Sequence, residues 1–162
     1  MLVVIAHPDD ESMAGGTIAK MAALGKAVRI LVLTNGDKGS GDFEMTSERL
    51  AELRAAEMHA AAAVLGADAV LLGVPDGELD NTYLIRLRVA AQIRLFEPDL
   101  LITFSPTVDL TGYANGRAHR DHNIAGMIAL DCFYPLARDH LQVRTRVQEI
   151  SAIHQLRFRE QL

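Results

Sequence analysis

One short segment, Ala6–Glu11, constrains the fold and the chemistry of this chain more than any other. It holds one imidazole, that of His7, and three carboxylates. The four residues before it, 2–5, are all Leu, Val or Ile, which is typical of a buried strand. Pro8 cannot continue a strand ladder, so the strand is predicted to cover residues 2–6 and to end at this polar turn. A second polar cluster, His119–His122, follows much later in the chain.

The length and composition favour one globular domain over residues 1–162. Of the residues, 49% are hydrophobic, so the chain can bury a substantial core. The formal charge is −5 and the basic residues are scattered, which argues against a nucleic-acid partner. No apolar run approaches the ~20 residues of a membrane span, and the N-terminus lacks the basic start of a signal peptide. Cys132 is the single cysteine, so a reducing compartment, the cytoplasm, is the expected location.

Strand and helix patterns alternate along the chain. The predicted strands cover residues 2–6, 28–34, 68–72 and 99–104. The predicted helices run from Glu11 to Leu24, from Thr46 or Ser47 to Leu65, from Thr82 to Phe96, and from near His119 to Tyr134. Residues 105–117 are predicted to be a loop, 143–153 a last strand and 155–162 a short helix. Gly15 and Gly16 indicate either a close approach to another backbone or a ligand, or tight helix–sheet packing.

This alternation predicts an α/β fold, a Rossmann-like, doubly wound and mostly parallel sheet with helices on both faces. Its expected strand order is 3-2-1-4 plus C-terminal additions, with the switch point between the first and fourth strands. Ligands of such sheets bind at the carboxyl ends of the strands beside the switch point. The loops that carry His7 and His119–His122 leave the carboxyl ends of these two strands. The topology therefore predicts that the two polar clusters meet.

The residue types in the two clusters are those of a catalytic zinc site, which has three nitrogen or oxygen ligands and an open position for water. His7, one of Asp9 or Asp10, and one of His119 or His122 would supply two imidazoles and a carboxylate. The other aspartate would then face the water and accept its proton, as in a hydrolase. Taken alone, a His-Pro-Asp turn more often serves as a helix cap, but two such clusters at matching strand ends favour a metal site.

Several motifs resemble the PIG-L/LmbE-like deacetylases, a family of zinc-dependent enzymes that remove an acetyl group from N-acetylglucosamine-type sugars. The resemblance covers residues 2 to about 140. Ala6–Glu11 and His119-x-Asp121-His122 are its most specific parts. The weaker parts are Gly15–Thr17, Arg54-x-x-Glu57, Leu65-Gly66 and Pro75–Leu79.

The resemblance implies which residues take which roles. His7, Asp10 and His122 would bind Zn²⁺, or another divalent transition metal such as Fe²⁺. Asp9 would be the general base, and His119, as an imidazolium, would act on the developing oxyanion or on the leaving amine. The implied reaction is attack of zinc-bound water on the acetamide carbonyl of a small N-acetylated sugar or its conjugate, which makes the chain a metal-dependent N-deacetylase, an amidohydrolase of linear amides.

Other residues have a functional and a structural interpretation. Arg54 would contact the substrate or form a salt bridge with Glu57. Asp76 would line the sugar pocket or serve as a turn residue. Tyr113 would contact the substrate or only fill the loop. Asp121 would orient a histidine ligand from the second coordination shell or cap its helix.

Two departures from the family pattern stand out. Arg120 replaces the proline of the last motif, which predicts a changed loop or an added basic contact. Residues 142–162 are shorter than the usual C-terminal region and resemble discontinuous pieces of it. Two other functions remain open, a Rossmann-like nucleotide-binding or regulatory module and an inactive metal-binding relative. The first lacks the Gly-x-Gly-x-x-Gly that should follow the first strand. A homo-oligomer is also left open.

Overall fold

The computed structural model describes residues 1–108, 110–114 and 119–139. Its centre is a four-stranded parallel sheet with the order β3-β2-β1-β4. The strands are β1 (Leu2–Ile5), β2 (Arg29–Thr34), β3 (Asp68–Val74) and β4 (Leu101–Thr103). The predicted fold class and strand order are therefore confirmed, with the switch point between β1 and β4. The predicted strand over 143–153 and the helix over 155–162 lie outside the described residues.

Both faces of the sheet are covered, because successive side chains of a strand point to opposite faces. Leu2 and Val4 of β1 belong to one buried cluster, whereas Val3 and Ile5 belong to the other. Helices α3 (Tyr83–Phe96) and α5 (Arg120–Asp131) contribute to the first cluster. Helices α1 (Gly15–Ala23) and α2 (Ser47–Leu65) contribute to the second. The result is a three-layer arrangement whose strands are apolar on both sides, as their sequences predict.

The first predicted helix is divided in two. Residues Asp10–Ala14 form a 3₁₀ helix, and α1 begins only at Gly15. The tighter turn follows Asp9, whose φ of 117° lies in the left-handed region. Among the residues that the structure describes, Gly15 and Gly16 make no tight packing contact, which was one of the interpretations left open for them. An added Cβ at Gly15 would make only an ordinary contact, 3.8 Å from Leu65, and one at Gly16 would meet no described atom within 4 Å.

The second and third predicted helices are confirmed at both ends. Thr46 caps α2 by accepting the N–H of Arg49, and Gly66 ends it with a φ of 72°. Thr82 caps α3 in the same way, with the N–H of Ile85 as the donor. These caps place the starts of both helices after the loops at the carboxyl edge of the sheet.

Several element boundaries differ from the prediction. β4 is shorter than 99–104, because β1 offers it only the partners Leu2–Val4. β3 is longer and reaches Val74 after a register shift in its pairing with β2. A short helix, α4 (Leu110–Ala114), lies in the predicted loop over 105–117. The last predicted helix ends as an α-helix at Asp131 and continues as a π-helix, Cys132–Leu136, in which Tyr134 has non-helical angles before Pro135.

Among the residues that the structure describes, no helix has both the length and the apolar character needed to cross a membrane.

Candidate metal centre

The loop after β1 is fixed at its base by the neighbouring strand. Both the backbone N–H and the hydroxyl of Thr34 donate to the carbonyl oxygen of Ala6, each at 2.8 Å. Thr34 is fully buried, so this pair of hydrogen bonds is shielded from water. The residue that follows the fixed carbonyl is His7. Its position at the end of β1 is therefore set by the sheet.

Asp10 connects the two ends of the turn and reaches towards α5. One of its oxygens, Oδ2, accepts the backbone N–H of His7 at 2.8 Å and lies 3.6 Å from His7 Nδ1. The other oxygen, Oδ1, lies 3.2 Å from Nε2 of His122. Burial alone would raise the pKa of Asp10, but its contacts with His122 and His7 outweigh burial and hold that pKa well below its usual range. Asp10 is therefore a carboxylate at neutral pH.

His122 is held in place by packing against the segment that follows β4. Its imidazole stacks on the ring of Phe104, with centroids 4.2 Å apart and planes 3° from parallel. Gly126, one turn further along α5, lies against the backbone of Phe104 and Pro106, where an added Cβ would be 3.0 Å from Pro106 N and closer still to the carbonyl oxygen of Phe104. Only a glycine allows α5 to approach this closely. Gly126 therefore determines how closely α5, which carries His122, packs on the segment that follows β4.

His119 lies at the start of α5 and caps it, since its Nδ1 accepts the backbone N–H of Asp121 at 3.2 Å. The cap therefore uses Nδ1 as an acceptor and leaves Nε2 as the ring nitrogen not engaged in it. The imidazolium implied for His119 stays a prediction. The ring lies edge-on to that of His7, with centroids 4.6 Å apart, and its centroid is 5.5 Å from that of His122. The two histidines of α5 thus face the same region, as their spacing predicts.

Asp9 lies next to Asp10 but faces a different environment. Its side chain is exposed, and its φ of 117° is rare for a residue with a Cβ and costs roughly 1–3 kcal/mol. Glu11 supports this conformation by accepting the backbone N–H of Asp9 at 2.9 Å. Desolvation and the charge of Asp10 raise the pKa of Asp9 above its ordinary value, and the charge of Arg54 partly opposes them.

The other nitrogen of His7, Nε2, faces two further aspartates. It lies 3.0 Å from Oδ1 of Asp76 and 3.5 Å from Oδ2 of Asp121, but it is buried and makes no hydrogen bond. Burial alone would lower the pKa of His7, but Asp10, and then Asp76 and Asp121, outweigh burial and raise it. Asp121 is fully buried, and its Oδ2 accepts the N–H of Gly77 at 2.9 Å.

Arg54 and Arg120 lie at the rim of the site, where their side chains are partly exposed. Arg54 forms the expected salt bridge with Glu57, at 3.1 Å. Arg120 donates to the carbonyl oxygen of Leu79 at 2.6 Å and to Asp80 at 3.1 Å, so the added basic contact predicted at this position is made to the protein itself. Tyr113 falls within α4, but its side chain lies outside the described part of the chain.

These residues fit a divalent metal ion. The potential ligand atoms of His7, Asp10 and His122 all lie within 4.8 Å of one another. Ligand atoms 2.0–2.2 Å from a tetrahedral ion are about 3.3–3.6 Å apart. His7 Nδ1 lies 3.6 Å from Oδ2 of Asp10, and His122 Nε2 lies 3.2 Å from the other oxygen, Oδ1. A second group that could hold an ion, His7 with His119 and Asp121, shares His7 with the first.

Three contributors were not predicted from the sequence. Asp37 accepts the backbone N–H of Asp76 at 2.7 Å, Phe104 stacks on His122, and Gly126 permits the approach of α5. Asp37 follows β2 at the same edge of the sheet, so its place in the chain was a usable signal. The roles of Phe104 and Gly126 arise from packing between distant segments, which the sequence pattern does not reveal.

The fold and this site define a Rossmann-like α/β protein with a histidine–aspartate cluster at the switch point of its sheet. A family model described as PIG-L: GlcNAc-PI de-N-acetylase matches residues 2–133. The chain belongs to this family.

Two named relatives are similar in sequence to most of this chain. The diacetylchitobiose deacetylase of Thermococcus kodakarensis is 32% identical over 133 residues, which covers 81% of this chain and 48% of the relative. The 1D-myo-inositol 2-acetamido-2-deoxy-alpha-D-glucopyranoside deacetylase of Rhodococcus erythropolis is 31% identical, with 75% and 48% covered. The chain thus spans about half the length of the curated relatives it matches.

Two solved structures resemble the fold closely. One is the N,N'-diacetylchitobiose deacetylase of Pyrococcus horikoshii in complex with an inhibitor, with a TM-score of 0.79, 26% identity, and 87% of this chain and 51% of that one covered. The other is the 4-carboxy-2-hydroxymuconate hydratase of Pseudomonas putida KT2440, with a TM-score of 0.76, 26% identity, and 87% and 57% covered. The same scaffold therefore occurs in a deacetylase and in a hydratase.

Proposed function

We propose that this protein is a divalent-metal-dependent hydrolase that removes the acetyl group from an N-acetylglucosamine-type sugar or its conjugate. The observation that carries the proposal is the convergence of His7, Asp10 and His122 beside the exposed carboxylate of Asp9. Membership of the PIG-L family, and the deacetylases among the relatives, favour this activity over others that such a site could support.

His7, Asp10 and His122 would hold the ion. Two imidazoles and a carboxylate are a ligand set of catalytic zinc, so Zn²⁺ is the proposed metal and Fe²⁺ the alternative. When bound, such an ion polarises a carbonyl oxygen and lowers the pKa of water. Asp10 is suited to this role because it is ionised and contacts both histidines.

Asp9 would act as the general base. Asp10 contacts His7 and His122 directly. The carboxylate of Asp9 is exposed and interacts electrostatically with His7 and His122. Asp9 would take a proton from the attacking water and later give it to the amine nitrogen as the C–N bond breaks. The strained backbone at Asp9 supports this proposal, since such strain tends to persist at functional positions.

His119 would stabilise the oxygen of the acetamide carbonyl as it becomes negative. Because Nδ1 is used as the helix cap, Nε2 is the nitrogen left to donate a hydrogen bond. The cap also fixes the ring, so the donor is oriented before the reaction begins. This role requires an N–H at Nε2, which both a neutral imidazole and the imidazolium implied by the family resemblance can supply.

The charges at the rim favour an uncharged sugar. Three rim cations already have carboxylate partners, Lys38 with Glu78, Arg54 with Glu57 and Arg120 with Asp80. An anionic substrate such as a carboxymuconate would have to compete for them and would face the carboxylates of the site. Arg54 and Tyr113 are proposed to contact the hydroxyl groups of the sugar. Asp76 lies on the same side, but its carboxylate faces Nε2 of His7, 3.0 Å away.

Acetate release tests the proposal. The chain would be loaded with Zn²⁺ or Fe²⁺ and given diacetylchitobiose, N-acetylglucosaminyl-inositol and simple N-acetylglucosamine glycosides. We expect acetate and free amine from at least one of them, and a loss of about 10²–10⁴-fold in Asp9→Asn with the metal retained. Asp68→Asn is the matched control, because Asp68 pairs with Arg29 at the opposite edge of the sheet.

Two outcomes would support the alternatives. Bound metal without acetate release from any substrate would indicate an inactive metal-binding relative. Thermal stabilisation by a nucleotide but not by Zn²⁺ would indicate a Rossmann-like nucleotide-binding module. The cytoplasmic location and the oligomeric state remain predictions, for which cell fractionation and light scattering are the direct measurements.

A further inference from the structure

The two ring nitrogens of His7 face different partners. Nδ1 points to Asp10, 3.6 Å from Oδ2, on the side where Asp10 meets His122. Nε2 points to Asp76 and Asp121, at 3.0 and 3.5 Å. A neutral imidazole carries its proton on one nitrogen only and offers a lone pair on the other. The partners of Nε2 therefore decide which nitrogen is free to bind a cation.

Asp76 is the better partner for a proton on Nε2. Its Oδ1 is the nearer acceptor, and Oδ2 of Asp121 already accepts the N–H of Gly77. The backbone of Asp76 is also anchored, because Asp37 accepts its N–H at 2.7 Å. Nε2 is buried without a hydrogen bond, which is costly for a polar atom, so a small rotation of the ring towards Asp76 would satisfy both groups.

We propose that Asp76 is a positioning residue, which accepts the Nε2 proton of His7 and so leaves Nδ1 as the nitrogen that binds the metal ion. Asp37 supports it by fixing the turn on which Asp76 lies. The inference rests on the proposed function and gives Asp76 a role towards the metal ligand in place of the predicted contact with the sugar. Metal-binding histidines almost always donate their second N–H to a carboxylate, a backbone carbonyl or water, and Asp76 would supply the carboxylate here.

The inference also chooses between the two groups that could hold an ion. With the proton on Nε2, the ion belongs with Asp10 and His122. With the proton on Nδ1, it would belong with His119 and Asp121. Both groups share His7, and the tautomer of its ring separates them.

The first test is the tautomer of His7 in the metal-free protein. Nitrogen-15 NMR distinguishes the two tautomers, and His7→Gln identifies the signals by their loss. We expect the proton on Nε2 in the wild type and a mixture of tautomers in Asp76→Ala. A wild-type ring with its proton on Nδ1 would overturn the inference, and this measurement needs no variant of Asp76 to fold.

The second test is Zn²⁺ affinity, measured by competition with a chelator. We expect Asp76→Ala to bind about 10- to 100-fold more weakly, and Asp76→Asn, which keeps an accepting oxygen, to fall between it and the wild type. The matched control is Glu78→Gln, on the same loop, where Glu78 is exposed and pairs with Lys38. Glu78→Gln should bind as the wild type does.

Two results would contradict the role proposed for Asp76. Equal affinities of Asp76→Ala and Glu78→Gln would remove Asp76 from the metal site. Affinity that survives Asp10→Asn but is lost in Asp121→Asn would place the ion on the Nε2 side and contradict the inference. Neither measurement uses a sugar, so a failure of the deacetylase assay would leave the test of Asp76 intact.

Discussion

The two loops that carry the candidate ligands His7, Asp10 and His122 are held by different kinds of contact. After β1, near neighbours in the chain hold the turn, because Asp10 accepts the N–H of His7 and Glu11 accepts that of Asp9. At the start of α5, His122 depends on distant packing, against Phe104 and through Gly126. Beyond its base on β2, the first turn is therefore held by contacts close in sequence, whereas the position of His122 depends on the tertiary fold. The first should tolerate single changes that the second does not.

The position of α5 should be most sensitive to a change at Gly126. An alanine there would push α5 away from the backbone of Phe104 and Pro106, and neither backbone segment can yield as a flexible side chain can. We expect Gly126→Ala to lower the free energy of unfolding by about 3 kcal/mol and to weaken metal binding through His122. Denaturant unfolding provides the measurement.

Gly16→Ala is the control for that experiment. No described atom lies within 4 Å of an added Cβ at Gly16, and alanine is the better helix former. It should leave stability unchanged or raise it slightly. Equal stability of the two alanine variants would show that the close packing of α5 on Phe104 and Pro106 does not depend on Gly126.

The loop after β1 should lose less stability from a change at its base, where Thr34 of β2 holds it. Thr34→Val keeps the shape of the side chain and removes one of the two hydrogen bonds to Ala6, while the backbone N–H of residue 34 still satisfies that carbonyl. We expect a loss of about 1–1.5 kcal/mol in unfolding free energy, measured by denaturant titration. A cost as large as that of Gly126→Ala would mean that the β1 loop is no more robust than α5.

Asp9→Gly should stabilise the fold. Glycine adopts a φ of 117° without strain, and the change also removes the repulsion between Asp9 and Asp10. We expect a net gain of roughly 0.5–1 kcal/mol, smaller than the relieved strain because glycine loses more entropy on folding. A thermal melt beside an acetate-release assay would record higher stability with lost activity. A destabilised variant would show that the backbone at Asp9 carries no strain.

The smallest effect is expected from restoring the family's proline. Arg120 is the first residue of α5, a position where proline is favoured, and His119 before it has extended angles of −115° and 136°. Arg120→Pro loses a half-buried hydrogen bond to the carbonyl oxygen of Leu79 and an exposed contact with Asp80. Stability should change by less than about 1 kcal/mol, and Zn²⁺ affinity should stay within a factor of two or so by chelator competition. A large loss of affinity would show that Arg120 supports the site.

The sequence predicted the parts of this molecule that periodicity and topology determine. The apolar runs identified the four strands, and right-handed crossovers then required the loops after β1 and β4 to meet. The length of β4 was overestimated because it depends on its partner, β1. The short helix α4 was missed because it contains Gly112 and lies between Pro106 and Gly116, a pattern typical of a loop.

Within the site, the sequence identified residue types but not their orientations. It brought His7, Asp10 and His122 into one region, but it could not reveal that Asp76 faces Nε2 of His7 or that His119 uses Nδ1 as a cap. These features depend on distances of about one hydrogen bond between separate segments. Such distances follow from packing, as at Gly126 and Phe104, and no local pattern records them.

The central claim is that His7, Asp10 and His122 together hold one divalent ion, and metal content measures it most directly. The chain would be purified without chelator and analysed by mass spectrometry of its metals, beside His122→Ala and the control His59→Ala, a change at an exposed position on α2. We predict about one divalent ion per chain in the wild type and in His59→Ala, and none in His122→Ala. A wild-type chain without metal, or an ion that persists in His122→Ala, would contradict the account.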